Sequence, residues 1–267
     1  MTYLDYARLN AIDTAAFRSQ KPYPWINPER LLTEMGYQRL RESLPDVTTF
    51  TTEFGKSRID GKPSHDRFSL EYHDDLNIAQ PWKEFVAELQ GKKYQAFLCR
   101  LLNVRSFKLR FHWHYTPNGC SVSPHCDVEL KLGSHIFYFN TPQDWNPTWG
   151  GETLILDDGG RFESDSAPHF DDFEREVASE MFGNRSLLFA RQGNSWHGVR
   201  EIRCPEDRMR KVFIVVIDRY VPVNRFRRFL DRLPIVQTRR WNFSPYTKSM
   251  PHIWARSGSE VCKHNLR

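Results

Sequence analysis

The hydrophobic rhythm of the chain changes near residue 104. Before that point apolar positions recur at helical spacing. Asn27-Pro28-Glu29 reads as a helix start, a capping side chain followed by proline at the first helical position. Leu31, Leu32, Met35, Tyr37 and Leu40 continue an apolar face, and Pro45 ends it. Residues 47–74 are rich in Thr, Ser, Gly and charge, with Arg67 to Tyr72 alternating like a strand. A second helix is expected from Pro81-Trp82 through Phe85, Val86 and Leu89. Gly91 breaks it, and Tyr94, Phe97, Leu98, Leu101 and Leu102 form a further apolar face.

From residue 104 the period is 2. Phe107, Leu109, Phe111, Trp113 and Tyr115 alternate with Lys108, Arg110, His112 and His114, as in a half-buried strand. Further short strands are expected at 136–140, 153–156, 186–190 and 211–217, with a proline turn at 145–149. An acidic insertion at 157–180 is expected to be partly helical after His169. Many short strands behind a helical region predict a mainly β fold, a barrel or sandwich with flanking helices. The expected organisation is a single domain over 1–267. It comprises a helical support region (1–103), a strand core (104–220) and a basic C-terminal extension (221–267).

Composition narrows the class. A chain of 267 residues can bury a large core, and 14% aromatic residues argue against disorder. A net charge of +5 does not demand a nucleic-acid partner. The five cysteines are odd in number and form no C-x-x-C pair, which suits a reducing compartment. The start has no basic segment followed by an apolar one, and no apolar run reaches membrane-spanning length. The expectation is a cytoplasmic protein with no membrane partner; its oligomeric state is not legible.

The candidate chemistry lies at His125-Cys126-Asp127. Ser123 precedes Pro124 and is pushed towards extended backbone, so His125 and Asp127, two apart, project from one face while Cys126 points away. An imidazole beside a carboxylate makes two corners of a metal site. The third corner is expected from His197, in Asn194-Ser195-Trp196-His197-Gly198-Val199, ahead of a strongly apolar strand. Two histidines and one carboxylate with open positions suit Fe(II). Ten histidines in one chain can produce an H-x-D pair by chance, and His112-x-His114 is a rival. No carboxylate accompanies that rival, and it shares its face with Lys108 and Arg110, which repel a cation.

The order Tyr115, Gly119, His125-x-Asp127, Tyr138-Phe139-Asn140, Trp145, Gly150-Gly151, Leu187-Leu188-Phe189, His197, then an Arg opening an apolar strand, resembles the prolyl-hydroxylase branch of the Fe(II)/2-oxoglutarate dioxygenases over about residues 104–220. The resemblance implies a double-stranded β-helix core (jelly-roll, cupin-like), with His125, Asp127 and His197 holding Fe(II). It implies a basic residue for the distal carboxylate of 2-oxoglutarate: Arg210, with Arg208 and Lys211 as close rivals. Tyr138 stands where hypoxia-sensing relatives place a tyrosine that also reaches that carboxylate, and Tyr115 is expected to line the same pocket. The implied reaction consumes 2-oxoglutarate and O₂, gives succinate and CO₂, and hydroxylates an unactivated C–H, with ascorbate as a candidate reductant. Halogenating relatives lack the carboxylate ligand, so Asp127 disfavours halogenation.

Two readings from other classes stay open: a zinc hydrolase on the same three residues, and a non-catalytic cupin-like binding module. The long N-terminal region favours a small polar substrate (an amino acid, a sugar or a biosynthetic intermediate) over a protein, with a prolyl-hydroxylase activity as the runner-up. The tail carries Arg225, Arg227, Arg228, Arg239, Arg240 and Trp241 among other basic and aromatic residues. It reads either as a recognition element or, more plainly, as a helix packed on the barrel.

Overall fold

A computed structural model describes residues 1–55 and 65–220. The basic extension 221–267 and the expectations that fall on it lie outside the described residues.

The long alternating segment is the spine. It forms β4 (Phe107–Pro117), which pairs along its whole length with β11 (Met209–Arg219), Phe213 opposite Trp113. Around this pair stand β1 (Trp25–Ile26), β2 (Thr51–Glu53), β3 (Arg67–Glu71), β6 (Lys131–Tyr138) and β9 (Ser186–Ala190). Together they make a seven-stranded sheet ordered β1-β9-β6-β11-β4-β3-β2, antiparallel at every pairing. A second sheet is ordered β5-β10-β7-β8, from β5 (Val122–His125), β7 (Leu154–Asp157), β8 (Arg175–Ala178) and β10 (His197–Val199). Two antiparallel sheets of eleven short strands make the jelly-roll core that the sequence led us to expect.

Alternation assigns the two faces of the large sheet. Phe111, Trp113, Tyr115, Phe137 and Phe213 point to the helices and pack on Trp82, Phe85 and Tyr94, from α4 (Gln80–Leu89) and α5 (Lys92–Leu102). Ile136, Tyr138 and Val212 point the other way, towards Ile155 and Val199 of the second sheet. Each buried aromatic of this kind contributes roughly 1.5–3 kcal/mol through area removed from water, so the aromatic-rich helical layer anchors the sheet. Three shorter helices precede them, α1 (Tyr6–Ala11), α2 (Thr14–Ser19) and α3 (Glu34–Glu42). Among the described residues no helix is long and apolar enough to cross a membrane.

One local expectation is corrected, and one holds only for a single turn. Asn27-Pro28-Glu29 does not start a helix: the Asn27 side-chain amide donates to the carbonyls of Glu180 and Ser186, and the Pro28 carbonyl accepts from the Ser186 N–H. The segment thus runs beside β9, and α3 starts later, capped by Thr33, whose hydroxyl accepts from the Gly36 N–H. The acidic insertion contains one short 3-10 turn at Phe170–Asp172 and then β8, whose residues are exposed and pair with β7. The helix expected after His169 is thus one turn long, and the chain then pairs with the edge of β7.

Candidate metal centre and cosubstrate cavity

His125 ends β5 and His197 opens β10. The two are direct register partners, and their ring centroids are 4.3 Å apart. Asp127, 7% exposed, follows two residues after His125, and one candidate ligand atom from each of the three lies within 4.8 Å of the others. Among the described residues this is the one group of three or more His, Cys, Asp or Glu side chains placed to hold a metal ion.

Local backbone fixes the donor atoms. His125 Nδ1 is 2.9 Å from the Ser123 carbonyl, and His197 Nδ1 is 2.9 Å from the Ser195 carbonyl. A carbonyl only accepts, so each ring donates from Nδ1 and leaves Nε2 as its ligand atom, the arrangement that orients a metal-ligating histidine. Close approach of the two strands requires Gly198, because a Cβ there would stand 2.8 Å from the Val122 carbonyl oxygen and 2.9 Å from Phe170 Cζ.

Asp127 is held ionised. Burial opposes its charge, but the Lys131 ammonium, His197 and hydrogen bonds from Lys131 and Ser134 together keep its pKa below the ordinary value. Lys131 Nζ is 2.6 Å from Asp127 Oδ1, and Arg191 Nε donates to the Asp127 backbone carbonyl at 3.0 Å. Two oriented imidazoles and a buried carboxylate suit Fe(II), and they leave room for further ligands on the cavity side.

The three residues open onto a cavity of about 370 Å³ between the sheets, and Arg210 forms part of its wall. Arg210 is 4% exposed; its Nε donates to the Gly151 carbonyl at 2.5 Å and its Nη2 to Thr153 Oγ1 at 2.9 Å. Its guanidinium carbon lies 5.6 Å from the Tyr138 ring centroid. Among the described residues no carboxylate lies within ion-pair distance of it; burial lowers its pKa from the usual arginine value, opposed by Tyr138 and the more distant charge of Glu152. Gly151 makes the seat possible: its φ is +102°, and a Cβ there would meet Arg210 Cδ at 3.3 Å.

The rival residues fall elsewhere. Arg208 is exposed and pairs with Asp207 at 3.3 Å. Lys211, one strand position from Arg210, points to the opposite face and lies over the Tyr115 ring at 5.9 Å. Tyr115 is therefore corrected: it lies on the helical side of β4, its hydroxyl donates to the Pro45 carbonyl, and its ring packs on Phe50. Alternation places His114 and Thr116, not Tyr115, in the cavity. Tyr138 shares a face with Arg210, but its hydroxyl is engaged by Thr153 Oγ1 at 2.9 Å and Ser179 Oγ at 2.8 Å. It braces the arginine's partner and does not line the cavity.

Of the rival histidine pair, His114 lines the cavity, while His112 is pushed down to about 3 by burial and by Arg110, Lys131 and Arg67. Both stay neutral. Sequence reasoning missed Lys131, Thr153, Arg67 and His65 as wall residues. Lys131 had a signal, four residues after Asp127, and Thr153 had one just after the Gly-Gly turn; Arg67 and His65 had none.

The sequence matches no protein-family model and no curated protein. Solved structures do match. A Pseudomonas putida prolyl-4-hydroxylase aligns over 78% of this chain and 99% of its own, at 14% identity and a TM-score of 0.54. A prolyl hydroxylase from Trichoplax adhaerens, solved with a hypoxia inducible factor peptide fragment, aligns over 80% and 90%, at 12% identity and a TM-score of 0.56. The non-heme α-ketoglutarate-dependent carbocyclase SnoK from nogalamycin biosynthesis aligns over 84% and 92%, at 14% identity and a TM-score of 0.55. At this identity the likeness is one of fold: the chain is built on the same fold as prolyl hydroxylases and a 2-oxoglutarate-dependent carbocyclase, the fold that the resemblance in its sequence implied.

Proposed function

We propose that the protein is an Fe(II)/2-oxoglutarate-dependent dioxygenase that hydroxylates an unactivated C–H of a small polar substrate. The observation that carries this reading is the buried Arg210, a cation with no carboxylate partner among the described residues, in one cavity with His125, Asp127 and His197. A buried charge without an ion pair costs several kcal/mol, and the distant Glu152 offsets this only in part, so the site suits an anion. A guanidinium fixed through two of its nitrogens presents its remaining donors to a carboxylate. A zinc hydrolase gives Arg210 no task, and a non-catalytic binding module gives the three metal-ligand candidates none.

In this reading His125, Asp127 and His197 hold Fe(II), which, when bound, supplies the oxidative decarboxylation of 2-oxoglutarate by O₂ that drives hydroxylation. Arg210 holds the distal carboxylate, Thr153 and the Gly151 carbonyl aim the guanidinium, and Tyr138 fixes Thr153. The bonds from Nδ1 to the Ser123 and Ser195 carbonyls leave Nε2 of each ring as the metal-binding atom. Ascorbate is a candidate reductant for iron lost to unproductive cycles.

The runner-up is a protein hydroxylase of the same mechanism, which the peptide-bound Trichoplax adhaerens structure supports; SnoK, from nogalamycin biosynthesis, supports the small-molecule reading. Succinate formation from 2-oxoglutarate by the Fe(II)-loaded protein tests the central reading. It should appear in wild type and disappear in Asp127→Ala. An Asp127→Ala protein that still forms succinate at the wild-type rate would contradict it.

A further inference from the structure

Three cationic side chains from three strands face the cavity: Arg67 on β3, Lys131 on β6 and Arg210 on β11. Two carboxylates, Glu53 and Asp127, face the same space. A divalent metal and dianionic 2-oxoglutarate cancel one another, so the loaded cavity keeps one more cation than anion. Arg210 is committed to the cosubstrate in the oxygenase reading, on which this inference rests. Arg67 has no role in it, and Lys131 serves only as the partner of Asp127, a place a bound metal ion takes over.

Both flank the metal end. Lys131 donates to Asp127, and an ion on that carboxylate loosens the ammonium's only ion pair among the described residues. Arg67 pairs with Glu53 at 2.8 Å and donates from Nη1 to the His65 carbonyl at 3.3 Å, while its Nε has no acceptor among the described residues. The His65 ring in turn lies 4.6 Å from the ring of His125. Between these cations His114 projects from β4 into the cavity.

We propose that the primary substrate is a small anion, a carboxylate or a phosphate monoester, whose charged group is held by Arg67 and Lys131 beside the metal, with His114 as a hydrogen-bonding partner. Because Lys131 bonds the ligand Asp127 and Arg67 is linked to His125 through His65, the oxidised C–H lies within a few bonds of the charged group. Arg67 and Lys131 are substrate-binding residues; neither takes part in holding 2-oxoglutarate at its distal end.

The test uses the anaerobic Fe(II)·2-oxoglutarate complex of the full chain, titrated calorimetrically with acetate and with methyl phosphate. At least one probe should bind saturably at millimolar concentration with 2-oxoglutarate in place, and the tighter of the two identifies the anion. Arg67→Ala should weaken that binding at least fivefold, with partial rescue in Arg67→Lys. Glu53→Gln, which removes a competing carboxylate from Arg67, should tighten it, and this variant decides the matter if Arg67→Ala does not fold. Absence of saturable binding by either probe overturns the proposal, as does binding that Arg67→Ala and Glu53→Gln leave unchanged. Arg67→Ala weakening 2-oxoglutarate in place of the probe would also overturn it. A wild-type protein that fails to form the Fe(II)·2-oxoglutarate complex at all sinks the oxygenase reading instead.

Discussion

His125 and His197 face each other as register partners across β5 and β10, each donating its Nδ1–H to the carbonyl two residues before it. The same local turn of backbone thus presents both Nε2 atoms to one point, and Asp127 closes the third side. His197→Ala and Asp127→Ala should each lower Fe(II) affinity at least a hundredfold, or about 2.8 kcal/mol at 1.4 kcal/mol per tenfold, and remove turnover. Metal titration of the purified variants checks this, and wild-type affinity in either would move the site elsewhere.

Arg210 is the cosubstrate anchor of this account. A hydrogen bond to a charged group contributes roughly 1.5–3 kcal/mol, so Arg210→Ala should raise the KM for 2-oxoglutarate about 10- to 100-fold. Arg208→Ala, at an exposed position paired with Asp207, should leave it within twofold. Steady-state kinetics on the two variants rank them; the reverse order would shift the anchor by two residues.

Lys131 compensates a buried carboxylate. Lys131→Met should therefore destabilise the metal-free protein by up to about 3 kcal/mol, since removing one partner strands the other charge. Fe(II) should restore most of that stability by taking the ammonium's place at Asp127. Thermal unfolding with and without metal measures both terms, and equal losses in the two states would show that Lys131 acts through packing alone.

Acid should weaken the fold through its buried histidines. His135 is fully buried, bonded to the Tyr94 hydroxyl, and burial pushes its pKa down to about 3. An unfolded-chain histidine titrates near 6.5. Between those values the unfolded chain binds the proton and the folded one does not, so stability is full above pH 6.5 and falls as pH drops towards 3, by up to about 1.4 kcal/mol per pH unit for one group. His135→Gln should flatten the decline in unfolding free energy between pH 6.5 and 5, measured by denaturant titration; an unchanged slope would mean that His135 is protonated in the fold.

Much of the fold was legible because the period-2 run 107–115 fills a strand that pairs on both edges, and few alternative structures satisfy it. The spacing of His125 and Asp127 was legible for the same reason. What was hidden depended on which face of β4 looks into the cavity. Both faces are covered, so Tyr115 and His114 read alike until helices α4 and α5 are seen to take the aromatic side. Arg67 was hidden because β3 reaches the cavity only through pairing with β4. Asn27 misled for a related reason: its side chain serves carbonyls more than 150 residues away, and a local capping pattern carries no information about such partners.

The most direct measurement is an anaerobic titration of the apoprotein with Fe(II) and 2-oxoglutarate, followed in visible absorption. The account predicts a weak metal-to-ligand charge-transfer band that saturates near one equivalent of iron, is lost in Asp127→Ala and needs far more 2-oxoglutarate in Arg210→Ala. If no band forms while zinc binds stoichiometrically at the same three residues, the chain shares the oxygenase fold without its chemistry, and the account is wrong.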